Sequence, residues 1–219
     1  MRQTKEGSIF ERTVNQSIKL KTMVSLALFA FALFLILDGF YIKAKAQYAQ
    51  YLIADSWDHY MKTGELRKPW PWADTYPVAK LEMYQKTQYV LAGASGRNLA
   101  FGPSHMLQTA ALGSLGNAAI AGHRDTHFDV LKQAKTGDLI YLTSRNSNTP
   151  RAGLESEGEQ TTYLKQAYRV KSIEIVDQHN LDVLNNTGGT SSITLITCYP
   201  FDSLDPNPAL RYVVKAQII

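Results

Sequence analysis

The chain of 219 residues holds one cysteine, Cys198, and five histidines. A thiol attacks as its thiolate, and an imidazole, titrating near neutral pH, is suited to take that proton and return it to a leaving group. Cys198 ends the β-branched run Ser192-Ile193-Thr194-Leu195-Ile196-Thr197, and Tyr199-Pro200 stops it, so the thiol is expected at a strand end. His123 ends a second apolar strand, Asn117-Ala118-Ala119-Ile120-Ala121-Gly122, and precedes the helix-start pair Asp125-Thr126. Arg211 opens the last strand, Arg211-Tyr212-Val213-Val214-Lys215-Ala216-Gln217. Its permanent charge and forked donors would suit a thiolate or the oxyanion of a tetrahedral intermediate.

Each of the three also has a plainer reading. A lone cysteine is often a small buried hydrophobe, a histidine a loop brace, an arginine a solvated rim charge. His123 and His127 share the spacing of metal ligands on a helix. No glutamate stands between them and no second cysteine offers a third soft ligand, so neither metal nor cofactor is expected.

Strands are needed to bring these side chains together. From Val78 onward short segments rich in Val, Ile, Thr and Tyr alternate with Gly, Asn, Asp and Pro, predicting strands at 79–84, 88–92, 117–122, 138–143, 162–176 (bent or broken), 192–197 and 211–218. Helical pieces are predicted only at 126–134 and near 180–185. Many short strands with little helix indicate a closed or nearly closed barrel, or a sandwich. Residues 144–161 are polar and turn-rich and are expected to form a long exposed hairpin loop.

The N-terminal part is different. From Met23 to Leu37 every residue but Ser25 is apolar, and the run extends to Ile42 if Asp38 is tolerated. Twenty helical residues rise about 30 Å, enough to cross a bilayer core. Arg2, Lys5, Arg12, Lys19 and Lys21 precede the run and only Lys43 and Lys45 follow closely, which predicts a cytoplasmic N-terminus and an exported remainder. The rival is a cleavable signal peptide ending near Ala44-Lys45-Ala46. Residues 45–64 favour a helical stalk stopped by Gly64, and Lys68-Pro69-Trp70-Pro71-Trp72 with Pro77 predicts an extended linker. The expected organisation is a cytoplasmic segment 1–22, a transmembrane anchor 23–42, a stalk and linker 43–77, and a β domain 78–219. The formal charge is +4, and beyond residue 42 basic and acidic side chains nearly balance, so composition carries no footprint for nucleic acid. One cysteine precludes an internal disulfide, so an exported domain must stand on its core.

Ala121-Gly122-His123-Arg124, then Thr194-Leu195-Ile196-Thr197-Cys198, then Arg211 on the closing strand resemble the sortase family in content, order and spacing. The resemblance covers about residues 78–219, and an N-terminal anchor is also typical of the family. Trp70-Pro71-Trp72, Gly122-His123-Arg124-Asp125-Thr126-His127-Phe128 and Cys198-Tyr199-Pro200-Phe201 look like the sortases of Gram-negative bacteria, which sit in the inner membrane facing the periplasm. It implies a mainly β fold, a closed eight-stranded barrel with short helices, with Cys198, His123 and Arg211 in the catalytic positions and Thr197 and Leu181 near substrate. It implies cleavage of an LPxTG-like C-terminal sorting signal on an exported protein, a thioacyl intermediate, and transfer to an amine acceptor. The stretch 178–191 would cover the Leu-Pro part of the signal. No long lid of the pilin-polymerising type precedes the domain, so a housekeeping or dedicated-substrate role is implied. The alternatives are another envelope cysteine peptidase or transpeptidase, or a non-catalytic anchored β-barrel that binds a partner. The motifs of the peptidoglycan cross-linking cysteine transpeptidases do not surround Cys198.

Overall fold

The computed structural model describes residues 3–145, 163–185 and 188–219. Eight strands close a barrel in the order β1-β2-β3-β4-β7-β8-β6-β5. They are β1 (Pro77–Met83), β2 (Lys86–Ala92), β3 (Ser104–His105), β4 (Gly116–Ala121), β5 (Leu139–Arg145), β6 (Tyr163–Asp177), β7 (Ser191–Tyr199) and β8 (Leu210–Ile218). Two pairings are parallel, β2 with β3 and β4 with β7; the others are antiparallel.

Side chains alternate across each strand, so every second residue points into the barrel. Leu81, Val90, Ala118, Ile120, Ile140, Leu142, Tyr168, Ile193, Leu195 and Val214 meet there and are essentially inaccessible. Tyr168, the largest of them, satisfies its buried hydroxyl with Ser191 Oγ at 2.9 Å.

Three differences from the sequence reading have local causes. Strand β3 is only two residues long, too short to show periodicity, yet it bridges β2 and β4. Strand β6 runs unbroken through the segment expected to break, because a bulge between Val170 and Ser172 absorbs the bend. The helix expected at 126–134 is a turn followed by a 3-10 helix, Asp129–Gln133. The predicted piece near 180–185 is also 3-10, Leu181–Leu184. A short helix, α2 (Gly96–Leu99), capped by Ser95, lies between β2 and β3. The predicted 144–161 loop lies, after Arg145, outside the described residues.

Residues Gln3–Thr63 form one helix, α1, and the chain divides into two compact units at Tyr48 and Ala49. In the first unit the apolar residues from Met23 onward are exposed, and the helix is long and apolar enough to cross a membrane. The second unit takes in the end of α1 together with the barrel. Residues 49–63, expected as stalk, pack onto it: Ile53, Ser56 and Trp57 are buried, and the Trp57 ring lies 6.3 Å from that of Tyr89 on β2. Helix α1 ends because Gly64 adopts a left-handed φ of 78° and returns its N–H to the Tyr60 carbonyl at 2.9 Å. Arg145 Nη1 donates to the Met61 carbonyl at 2.9 Å, a cation at the negative end of the helix.

Trp57→Ala should cost the folded protein about 3–5 kcal/mol, as deletion of a buried aromatic usually does. Chemical denaturation of the detergent-solubilised protein measures this, and a loss well under 1 kcal/mol would mean that the end of α1 does not belong to the fold.

Candidate active site

Strand β7 lies between β4 and β8. With Ile193 and Leu195 in the core, alternation turns Ser192, Thr194, Ile196 and Cys198 to the outer face. Cys198 pairs directly with Arg211 on β8, and such cross-strand partners have Cβ atoms about 4.5–5.5 Å apart. On the other edge the last registered pair is Ala121 with Ile196. Two residues further along each strand bring His123 beside Cys198, and the Gly122 N–H donates to the Ile196 carbonyl at 3.0 Å across this extension. The structure thus brings Cys198, His123 and Arg211 together at one end of the outer face. The thiol is half-buried and free, and His123 is exposed.

Each of the three is held by its own surroundings. Beneath Gly122 lies the fully buried Phe128 ring, and a Cβ on residue 122 would sit 2.7 Å from it. The Phe128 N–H closes the turn on the His123 carbonyl at 2.8 Å. Arg124 reaches across to donate to the carbonyls of Ser203 and Asp205 at 2.7 and 2.5 Å, tying the β4 exit to the β7–β8 loop. Arg211 Nη1 donates to the Pro208 and Leu210 carbonyls at 2.5 and 3.0 Å, and Nη2 donates to Gln178 Oε1 at 3.1 Å. A guanidinium has five N–H groups, so donors remain for another acceptor. Tyr199, Phe201 and Tyr212 pack ring against ring at this end of the barrel, with centroids 5.1–6.1 Å apart.

The two residues expected near substrate fare differently. Thr197 is buried, and its hydroxyl donates to the Gly122 carbonyl at 2.7 Å; it is a strut between β7 and β4 and offers no side chain to the outer face. Leu181 is exposed at the start of its 3-10 turn. That turn is fastened over the far end of the face by Asn117, whose Nδ2 donates to the Val183 carbonyl at 3.0 Å and whose Oδ1 accepts from the Thr194 hydroxyl at 2.7 Å. A cavity of about 200 Å³ opens there, with Asn117, Asp182, Val183, Ser192, Thr194 and Lys215 in its wall. Arg124 and Gln178 carried no sequence signal of their roles, since their partners, two loop carbonyls for one and the Arg211 side chain for the other, are brought near only by the fold.

A half-buried thiol, an imidazole and a guanidinium at one end of a sheet face can perform nucleophilic acyl transfer, with a proton carrier and an anion-stabilising donor at hand. Among the described residues no group of three or more His, Cys, Asp or Glu side chains converges as a metal site would require.

Two other histidines report on pH. His105 and His127 titrate below the ordinary 6.5, burial being the main cause for each; the charge of nearby His123 adds to the effect at His127. Below about pH 6.5 the unfolded chain therefore binds more protons than the folded one. This part of the stability is complete above that pH and is lost as pH falls through the depressed values. Denaturation midpoints should rise between about pH 5 and about pH 7, and the double variant His105→Gln, His127→Gln should flatten the rise. An unchanged slope in that variant would assign the dependence to other groups.

Comparison with known proteins gives a consistent result. The family model of the Sortase domain matches residues 80–219. Sortase A of Streptococcus agalactiae serotype III (strain NEM316) is 24% identical over 137 residues, covering 59% of this chain and 47% of that protein. The chain thus matches about half the length of this curated relative. Among solved structures, the Clostridium perfringens sortase D5 transpeptidase superposes with a TM-score of 0.58 at 20% identity, over 79% of this chain and 99% of that one. A lid mutant of sortase A from Corynebacterium diphtheriae gives 0.55 at 20% identity, over 81% and 92%.

Proposed function

Because this chain belongs to the sortase family, we propose that it cleaves an LPxTG-like sorting signal through a thioacyl intermediate on Cys198 and passes the acyl group to an amine. The observation that carries this reading is the register: Cys198 stands opposite Arg211, and His123 lies two residues beyond the last β4–β7 pair.

In this mechanism the Cys198 thiolate attacks the scissile carbonyl carbon, and the resulting oxyanion draws on the remaining Arg211 donors. Collapse breaks the C–N bond, and His123, entering protonated, gives its proton to the departing amine. A thioester remains. The incoming amine attacks it and yields a proton to neutral His123 as the C–S bond breaks, restoring both thiolate and imidazolium. Arg211 suits its task through a planar fork of donors, which a lysine lacks.

An extended peptide along the outer face of β7 fits this reading. Thr194 lies four residues from Cys198, about 13 Å along the strand at 3.3–3.4 Å per residue. A peptide with its scissile bond at Cys198 therefore reaches the cavity under the 181–184 turn with a residue three or four positions upstream. That is the place of the leucine in an LPxTG-like signal. The acceptor is an amine, and the apolar stretch of α1 anchors the enzyme with residues 43–219 outside the cytoplasm.

Cys198→Ala should abolish cleavage of an LPxTG-type peptide while leaving the circular dichroism spectrum unchanged. His123→Ala should lose orders of magnitude in turnover, and His127→Ala far less. Arg211→Lys and Arg211→Ala should both fall about a hundredfold or more. A folded Cys198→Ala protein that cleaves at the wild-type rate would sink the mechanism, and near-full activity in Arg211→Lys would reduce Arg211 to a rim charge.

Topology is tested separately. A reporter active only outside the cytoplasm, fused after Ile219, should give signal, and the protein should resist carbonate extraction. A soluble product beginning near Gln47 would instead establish a cleaved leader.

A further inference from the structure

Away from the β4–β7–β8 face, the linker that follows α1 folds over α2 and leaves a cavity of about 270 Å³. Trp70, Trp72 and Phe101 supply its apolar walls; Asp74, Arg97 and Asn98 supply its polar ones. The Trp70 ring packs edge-on against Phe101 at 4.8 Å, while Trp72 stands at the mouth with 79% of its surface exposed. Asp74 and Arg97 face each other at 3.6 Å, both largely in solvent.

Asn98 is the telling member, being only 4% exposed. Its Nδ2 donates to the Ala92 and Gly93 carbonyls at 3.3 and 2.8 Å, which fixes the orientation of the amide. Its Oδ1 is buried and has no donor among the described residues. Buried amide oxygens are almost always paired, which makes this cavity-wall oxygen an acceptor to be matched by an N–H or O–H.

We propose that this cavity is a saccharide subsite, taking one neutral hexopyranose ring of a glycan. A pyranose has an apolar C–H face to lay on an indole, and hydroxyls around its edge. One of these can donate to Asn98 Oδ1, another to Asp74, and a third can accept from Arg97. Drug-sized ligands occupy about 300–1,000 Å³, so the smaller volume here suits a single ring. One acid and one base leave the wall without net charge, and Arg97 beside Asp74 opposes the ammonium ligand that an aromatic cage would otherwise favour.

The test is titration of the full-length protein in lipid nanodiscs with N-acetylglucosamine trimer and with cellotriose, followed by tryptophan fluorescence and calorimetry. Saturable binding of at least one of them is expected, weakened about tenfold or more in Trp72→Ala. Asn98 is left intact because its Nδ2 bonds support the β2 end. Peptide cleavage by Cys198 should change less than about twofold in Trp72→Ala, so the subsite stands or falls independently of the transpeptidase reading. Four results would overturn it: no binding of either sugar, binding unchanged by Trp72→Ala, saturation by choline in place of sugar, or quenching of Trp72 by brominated lipid.

Discussion

Strand β7 is hydrogen-bonded on both edges, to β4 in parallel and to β8 antiparallel, and its register against each is the constraint on which the reactive face depends. A slip of one residue would turn Cys198 into the barrel and Thr197 out of it, since side chains alternate with a period of two. The chain guards against that slip with interactions that only the correct register permits. Leu195 and Ile193 fill the core, the Thr197 hydroxyl reaches the Gly122 carbonyl, and the Thr194 hydroxyl reaches Asn117. The Thr-Leu-Ile-Thr-Cys run thus combines a core residue, two hydrogen-bonded struts and a thiol in a fixed alternation.

Arginines do for the loops what the threonines do for the strands. Arg124 binds the β7–β8 loop to the turn that carries His123, and Arg211 binds the other end of that loop to Gln178 beyond β6. Loop carbonyls buried near a barrel rim need donors, and a guanidinium can serve several at once. The two loops flanking Cys198 are therefore linked through Arg211, and movement of the 178–185 segment reaches the guanidinium through one side-chain hydrogen bond.

Much of this was legible in the sequence, for physical reasons that differ by element. Strands β7 and β8 are β-branched, β4 is apolar, and all three are sharply ended, so their existence and the placement of Cys198, His123 and Arg211 at their ends could be read directly. The closure of the sheet could not, because β3 contributes two residues and no pattern. Burial of the α1 end was hidden for another reason: Ile53, Ser56 and Trp57 share one face of it, and only the barrel surface shows what that face meets. Thr197, which the family resemblance puts near substrate, is turned inside by the strand's alternation and bonds the Gly122 carbonyl. Arg124 donates to backbone oxygens and Gln178 accepts from the Arg211 side chain, both far along the chain, and no local spacing records such partners.

The parallel pairing of β4 with β7 also has a consequence in time. His123 leaves the ribosome about seventy-five residues before Cys198, and β8, which brings Arg211, is the last of the eight strands to be made. Non-local pairings of this kind are slow to form because a long loop must close before any contact rewards it. A chain caught partway through synthesis carries the imidazole without the thiol, or the thiol without its guanidinium. The grouping of Cys198, His123 and Arg211 is therefore complete only once the final strand of the barrel exists.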